Sequence, residues 1–368
     1  MEYEIVSDIE VLLEGGRREG VYPGAVLLAA SGGMIRLFTA VGDRTLSPCP
    51  QPMEKETLFD LASLTKPLAT TLAMMKLVDA GKIHLDQPLE ALLQQTVSKD
   101  KKRITPRLLL THCAGFVDWM PLYLDLESVA PKERKAVLRE RLLNLPVVYS
   151  PGSQVLYSDI GFMLMEWIIE ATVGIDLPRF LEREFYGPLS LRYTDFFSSG
   201  VPGRFTQDRF AATENCPWRK RIIQGIVHDE NAYSLGGYSG HAGLFGTALE
   251  VYKLTDLLRG HWRGERTDYL SPETVRAFFT RQNVVEGSTW ALGWDTPSWA
   301  NSSAGSYFSK TSVGHLGFTG TSLWMDLEKD VIVVFLSNRI HPTRENKKIR
   351  AFRPVLHDRV METFGLAR

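Results

Sequence analysis

Apolar positions fall into two regimes along the chain. Ile5–Arg17 carries them at helical spacing, and Gly24–Ser31 and Met34–Val41 are apolar or β-branched stretches separated by Gly32-Gly33. This pattern predicts a first helix followed by a β-hairpin. Near the other end, Thr319–Leu327 and Val331–Ser337 are strand-like around a charged turn, and Lys347–Phe364 predicts a final helix with Pro354 bearing on where it starts. The two ends are therefore expected to build one sheet with helices on it. Between them lie Ala69–Asp79, Thr105–Leu110, Lys132–Leu143, Gly161–Ala171, Leu177–Phe185 and Ala248–Leu258, helical in pattern and joined by Pro/Gly-rich connections. The expected class is α+β: an α/β domain formed by residues 1–75 and 286–368, with a mainly helical domain, 76–285, inserted into it. Ser298–Ser306 is expected to be a loop between strands, and a cleft between the two layers is the natural ligand site.

At 368 residues and 44% apolar content, the chain can bury more than one sizeable core. Its 42 basic and 43 acidic residues give a formal charge of -1, which offers little electrostatic case for binding nucleic acid. The longest apolar runs, around Ala25–Ala30 and Val331–Leu336, fall far short of the roughly 20 residues of a membrane-spanning helix. An acidic start without a continuous apolar core does not read as a secretory signal. Cys49, Cys113 and Cys216 are dispersed and include no CxxC pair, which argues against a disulfide scaffold or a thiolate zinc site. The expectation is a cytoplasmic protein with a small-molecule partner, no nucleic acid and no membrane. Nothing in the composition sets an oligomeric state.

Candidate chemistry concentrates in three segments. Ser63-Leu64-Thr65-Lys66 opens a long helical stretch, with Pro67 tolerated near its first turn and Gly81 able to end it. One helical turn separates Ser63 from Lys66, so the amine can reach the hydroxyl. Serine needs a neighbouring group to take its proton, and an amine can do so if burial or nearby charge lowers its pKa. Tyr157-Ser158-Asp159 precedes an apolar helical run, and Tyr157 can act as a base or proton relay if Lys66 depresses its pKa. His315-Leu316-Gly317-Phe318-Thr319-Gly320 leads into a strand, where His315 can donate a hydrogen bond or supply partial positive charge. Alone, each has a bland alternative: a helix start with a solvated lysine, a core tyrosine, and a turn histidine.

In that order and at those separations, the three segments resemble the serine beta-lactamase and penicillin-binding-protein superfamily, in its class C-like branch that also contains esterases and D-amino-acid peptidases. Ser63-Leu64-Thr65-Lys66 matches SxxK, Tyr157-Ser158-Asp159 stands in the place of YxN, and His315-Leu316-Gly317 in that of KTG or HxG. Leu109–Gly115 and Gly240–Phe245 are similar to framework stretches of the family. The resemblance runs over nearly the whole chain and implies a beta-lactamase/transpeptidase-like fold. It further implies that Ser63 forms an acyl-enzyme, that Lys66 and Tyr157 manage its proton with His315 assisting, and that the N–H groups of Ser63 and Phe318 form an oxyanion hole. Asp159, Gly317 and Thr319 are carried over as substrate-binding positions. Neither metal nor organic cofactor is needed for this chemistry.

Two departures bear on substrate. Asp159 replaces the usual Asn, exchanging a donor-acceptor for a group that only accepts when ionised; it can repel a substrate carboxylate or pair with Lys66. His315 replaces the commoner Lys and weakens fixed positive charge at neutral pH. Efficient penicillinase activity is therefore discounted and ester hydrolysis favoured, with beta-lactamase or D-stereospecific peptidase action and a non-turnover acylated sensor as the alternatives. Absence of GxSxG disfavours an α/β-hydrolase. His228-Asp229-Glu230 invites a metal reading, but adjacent loop residues seldom converge on one ion, and capping is preferred. His341, Arg344, Lys347, Lys348, Arg350 and Arg353 read as a solvated basic helix face, with anion binding as the lesser alternative, and Trp119, Trp290 and Trp294 as either a substrate wall or core.

Overall fold

A computed structural model describes residues 2–197 and 204–367. Its largest sheet has six antiparallel strands: β1 (Gly24–Ser31), β2 (Met34–Thr45), β3 (Gln51–Pro52), β4 (Val313–Leu316), β5 (Ser322–Asp326) and β6 (Val331–Ser337). They lie in the order β3-β2-β1-β6-β5-β4, so the two ends of the chain meet at the β1–β6 pair, with Leu28 opposite Val334. Gly32 and Gly33, both at positive φ, make the β1–β2 turn as expected.

Continuous apolar runs in β1 and β6 follow from burial of both sheet faces, because side chains alternate across a strand. Ala25, Leu27 and Ala29, with Val331, Val333 and Phe335, pack against Ile9 and Leu13 of α1 (Glu2–Arg18) and Leu356 and Val360 of the C-terminal helix, Ile349–Thr363. Val26, Leu28 and Ala30, with Ile332, Val334 and Leu336, join the larger core on the other face. That core includes α2 (Leu72–Asp79), α3 (Asp159–Val173) and α4 (Ala248–Arg263). The C-terminal helix begins five residues before Pro354, which sits in its second turn. The helix Ala248–Arg263, expected within the inserted segment, lies directly against β1 and β6. Residues 248–263 therefore form part of the sheet's covering, which modifies the expected boundary at residue 285.

The regular helix expected to start near Ala62 is also modified. Ala62–Leu64 is a single 3₁₀ turn, Lys66–Thr71 is π-helical, and α geometry begins only at Leu72. Pro67 lacks the N–H that a regular ladder needs. Wide π turns recur where a helix must present side chains to a site. Among the described residues, no helix is long and apolar enough to cross a membrane.

Candidate active site

Ser63, Tyr157, Asp159, His315, Gly317 and Phe318 all line one cavity of about 590 Å³. Ser63 follows Ala62, which holds a left-handed φ of 48°. A non-glycine residue pays for that conformation, and Asp60 supplies the compensation: its buried carboxylate accepts from Ala62 N at 2.8 Å and from His228 N at 2.6 Å. The nucleophile turn is thereby fixed to the loop that carries His228 and Asp229.

Lys66 is fully buried and donates to Ser63 Oγ at 3.1 Å and to the His241 carbonyl at 3.3 Å, while Asp159 Oδ1 stands 2.7 Å from its Nζ. Burial disfavours the ammonium, but Asp159 and Tyr157 outweigh it and raise the Lys66 pKa. Lys66 is thus a paired ammonium at rest, and the condition under which it would act as a free amine, a lowered pKa, is not met. Asp159 takes the pairing role of its two expected roles.

Tyr157 lies under this cation, with Nζ 4.8 Å from the ring centroid, and Lys66 and Ser63 both act on its hydroxyl. Burial raises the Tyr157 pKa, and the opposing effect of Lys66 only partly offsets it. The expected depression is therefore not the net outcome: the phenol keeps its proton in the resting site.

The tyrosine is positioned by His112, a residue that the sequence reading left within a framework stretch. His112 has a φ of 57° and is buried, and its ring packs against Tyr157 and Trp290 at centroid distances of 4.5 and 4.3 Å. Ser158 N donates to His112 Nδ1 at 3.0 Å, which fixes that nitrogen as an acceptor. Burial, reinforced by Lys66 and His315, lowers its pKa well below the ordinary histidine value, so this ring is neutral. Ser158 Oγ donates to the Val117 carbonyl and Asp159 N to that of Asp118, holding the start of α3 against the same loop.

His315 sits on the edge strand β4. Its Nδ1 donates to the Leu316 carbonyl at 2.9 Å, and burial together with Lys66 pushes its pKa down to about 3. It therefore offers the cavity a neutral ring whose Nε2 is an acceptor without a partner among the described residues, rather than the donor or positive charge expected. Gly317 lies where a Cβ would come within 1.9 Å of Thr321 Oγ1 and 2.7 Å of the Leu61 carbonyl. Glycine is thus required by close packing against the nucleophile turn. Phe318 is 47% exposed, and its ring stacks on His228 and under the Arg339 guanidinium. Arg339 Nε and Nη2 donate to the Phe318 carbonyl at 3.0 and 2.6 Å. Among the described residues, the Phe318 N–H has no protein acceptor. Thr319 departs from its expected role: it is buried, its hydroxyl donates to the Asp60 carbonyl at 2.8 Å, and it does not line the cavity.

His228, Asp229 and Glu230 diverge instead of sharing a ligand. His228 Nε2 is 3.1 Å from Glu214, Asp229 is 3.0 Å from His241 Nε2, and Glu230 is 2.6 Å from Arg344. Asp229 also caps the helix Glu230–Ser234 through Ala232 N, which is the capping role expected of this loop. Burial disfavours the Asp229 carboxylate, but His241 holds it well below the usual carboxylate range. His241, Asp229 and Asp159 gather close together beside Lys66. The basic tract is not one solvated face, because His341 and Arg353 are buried and Arg344 pairs with Glu214 and Glu230. Trp119 and Trp290 line the cavity, whereas Trp294 is in the core against Phe279. Asp295, absent from the sequence expectations, also lines the cavity, and burial pushes its pKa up to about 6.

Comparison with known proteins agrees with this arrangement. A model of the Beta-lactamase family matches residues 9–355. A Salmonella agona protein named "Putative D-alanyl-D-alanine carboxypeptidase" is 33% identical over 360 residues, covering 89% of this chain and 81% of its own. Among solved structures, EstCE1, described as a hydrolase with promiscuous acyltransferase activity, superposes with a TM-score of 0.73 at 23% identity, covering 96% of this chain and 99% of its own. The octameric penicillin-binding protein homologue from Pyrococcus abyssi gives 0.72 at 20% identity, covering 98% and 77%. At such identities the two structures speak for the fold, which is that of the beta-lactamase/transpeptidase superfamily. With the family match spanning most of its length, the chain belongs to the Beta-lactamase family of serine hydrolases.

Proposed function

We propose that this protein hydrolyses a small ester or amide through an acyl-enzyme on Ser63, with ester substrates favoured. The observation that carries the reading is the Ser63 hydroxyl held 3.1 Å from Lys66 Nζ, with the Tyr157 ring 4.8 Å from the same nitrogen. Loss of one proton from the Tyr157–Lys66–Asp159 group creates the base. As Ser63 Oγ attacks the substrate carbonyl, its proton passes to that base, and the developing oxyanion meets the N–H groups of Ser63 and Phe318. The same proton then goes to the departing alkoxide or amine. Water repeats the sequence in the second half-reaction, releasing the acid and restoring Ser63.

Ester hydrolysis is favoured because an alkoxide leaves more readily than an amine, and because a neutral His315 replaces a fixed cation. Peptidase action on a D-amino-acid substrate is the second reading, favoured by the name of the 33%-identical relative. Wild type and Ser63→Ala compared on 4-nitrophenyl acetate and a chromogenic cephalosporin, with burst kinetics and intact mass, test both. The expected result is a Ser63-dependent ester burst with feeble cephalosporin turnover. Equal ester rates in the two proteins would overturn the acyl-enzyme reading. A stable adduct without turnover would favour a sensor.

A further inference from the structure

The two N–H groups that meet the oxyanion in the proposed reaction come from segments far apart in sequence: Ser63 on the nucleophile turn and Phe318 on the turn that follows β4. Among the described residues, no backbone-to-backbone hydrogen bond joins residues 60–64 to residues 313–321. Two side chains make the connection instead. Thr319 Oγ1 donates to the Asp60 carbonyl at 2.8 Å, and Thr321 Oγ1 donates to the Leu61 carbonyl at 3.0 Å. Both threonines are buried and neither lines the cavity, so neither hydroxyl is placed to touch a substrate.

What lies on each side of these two bonds is itself fixed. On the nucleophile side, Leu61 N donates to the Leu244 carbonyl at 3.0 Å and Ala62 N to Asp60 Oδ1 at 2.8 Å. The carbonyls that receive the threonines are therefore tied to the backbone leading into Ser63. On the other side, Gly317 N donates to the Thr321 carbonyl at 2.8 Å and Gly320 N to the Gly317 carbonyl at 3.1 Å. The second of these bonds holds the planar peptide between Gly317 and Phe318, the plane that carries the Phe318 N–H. Arg339 holds the next peptide through the Phe318 carbonyl. With both turns braced, the gap between the two N–H groups is set by the hydroxyls that span it. An oxyanion hole works when its donors come within about 2.7–3.1 Å of one oxygen. A misplacement of about 1 Å can cost about a hundredfold in rate.

We infer that Thr319 and Thr321 are positioning residues of the oxyanion hole: their hydroxyls clamp the turn bearing the Phe318 N–H to the two carbonyls just ahead of Ser63, and so fix the gap that the substrate oxygen enters. This rests on the hydrolase reading and deepens it by naming what holds the hole at its working width. Threonine suits the task, because its branched Cβ restricts the rotation that would let the hydroxyl leave its carbonyl.

The test compares wild type with Thr319→Val and Thr321→Val, which keep the side-chain shape and remove the donor, and with Thr319→Ser and Thr321→Ser, which keep the donor. Single-turnover acylation by 4-nitrophenyl acetate gives the acylation rate and the substrate dissociation constant separately. Phenylboronic acid reports the tetrahedral geometry: a bond forms from Ser63 Oγ to boron, the serine proton passes to the base, and boron becomes a four-coordinate anion. Each valine is expected to slow acylation about tenfold and to weaken the boronate about as much, with the substrate constant within about twofold of wild type. The double valine variant should lose about a hundredfold, and the serine variants should stay within about threefold of wild type. A merely structural role would lower the unfolding temperature and leave the ratio of boronate to substrate affinity where it was. Wild-type acylation in both valine variants would overturn the clamp, as would serine variants as slow as the valines or an equal loss of substrate and boronate affinity. Each threonine has its own pair of variants, so one that does not fold leaves the other to decide. Equal ester rates in wild type and Ser63→Ala would strike the hydrolase reading and the clamp with it, whereas a Ser63-dependent wild type matched by its valine variants would strike the clamp alone.

Discussion

Asp159 Oδ1 lies 2.7 Å from the Nζ of a fully buried Lys66, so the group nearest the nucleophile is an ion pair and not a free amine. The attraction that holds Lys66 in place also raises its pKa. Asp159→Asn should lower that pKa, and the acid limb of kcat/KM for ester hydrolysis should move to lower pH. Stability should also fall, by about 3 kcal/mol if the ammonium stays charged, because breaking a buried pair leaves an uncompensated charge. A pH–rate profile and denaturant unfolding check both, and an unmoved acid limb would remove Lys66 from the base.

Tyr157 is fixed by what surrounds it. Tyr157→Phe should lower kcat by about a hundredfold or more while the fold persists, since the lost function is proton transfer. His112→Leu removes the acceptor of Ser158 N–H and the ring face beneath Tyr157. It should depress kcat more than KM and cost about 2 kcal/mol for the stranded buried donor. Single-turnover acylation rates and thermal unfolding separate the two effects.

His315 is neutral across the working range, so its protonation should not shape the rate profile above pH 5. Its linkage to folding has a definite sign. The folded value of about 3 lies below the ordinary 6.5, so the unfolded chain binds the extra proton and stability is lost as pH falls below about 6.5. His315→Gln, which can still accept a hydrogen bond, should flatten that part of the stability profile. Urea midpoints between pH 4 and 8 measure it.

Asp295 acts in the opposite sense. Its folded pKa of about 6 exceeds the ordinary 3.8, so the folded state holds the proton more tightly and stability declines as pH rises from about 4 through 6. Partial exposure screens the effect to about 2 kcal/mol. Asp295→Asn should abolish the decline, and a variant that keeps it would assign the pH dependence elsewhere.

The continuous apolar runs of β1 and β6, and the Gly32-Gly33 turn between β1 and β2, were enough to anticipate strands from both ends of the chain in one sheet. The nearness of Ser63 to Lys66 was legible as well, because it depends on a short spacing that a single chain displays. His112, Asp60 and His241 were not legible. They act through partners 46, 168 and 12 residues away, and only folding reveals those contacts. The net protonation of Lys66 was illegible for a related reason: the burial that can free an amine also brings Asp159 and Tyr157 against it, and spacing does not say which effect prevails. Thr319 shows the limit of carrying roles across a motif, since its hydroxyl turns to the Asp60 carbonyl instead of the cavity.

The contact at Gly317 has a further reach. With no room for a methyl group at Gly317 between Thr321 and the Leu61 carbonyl ahead of the nucleophile, that side of the cleft behaves as a rigid jaw. Trp119, 42% exposed, lines the same cavity without such a constraint. Changes in the size of acceptable substrates should therefore accumulate around Trp119, and a laboratory search for broader specificity would do best to vary that rim and leave the glycine jaw alone.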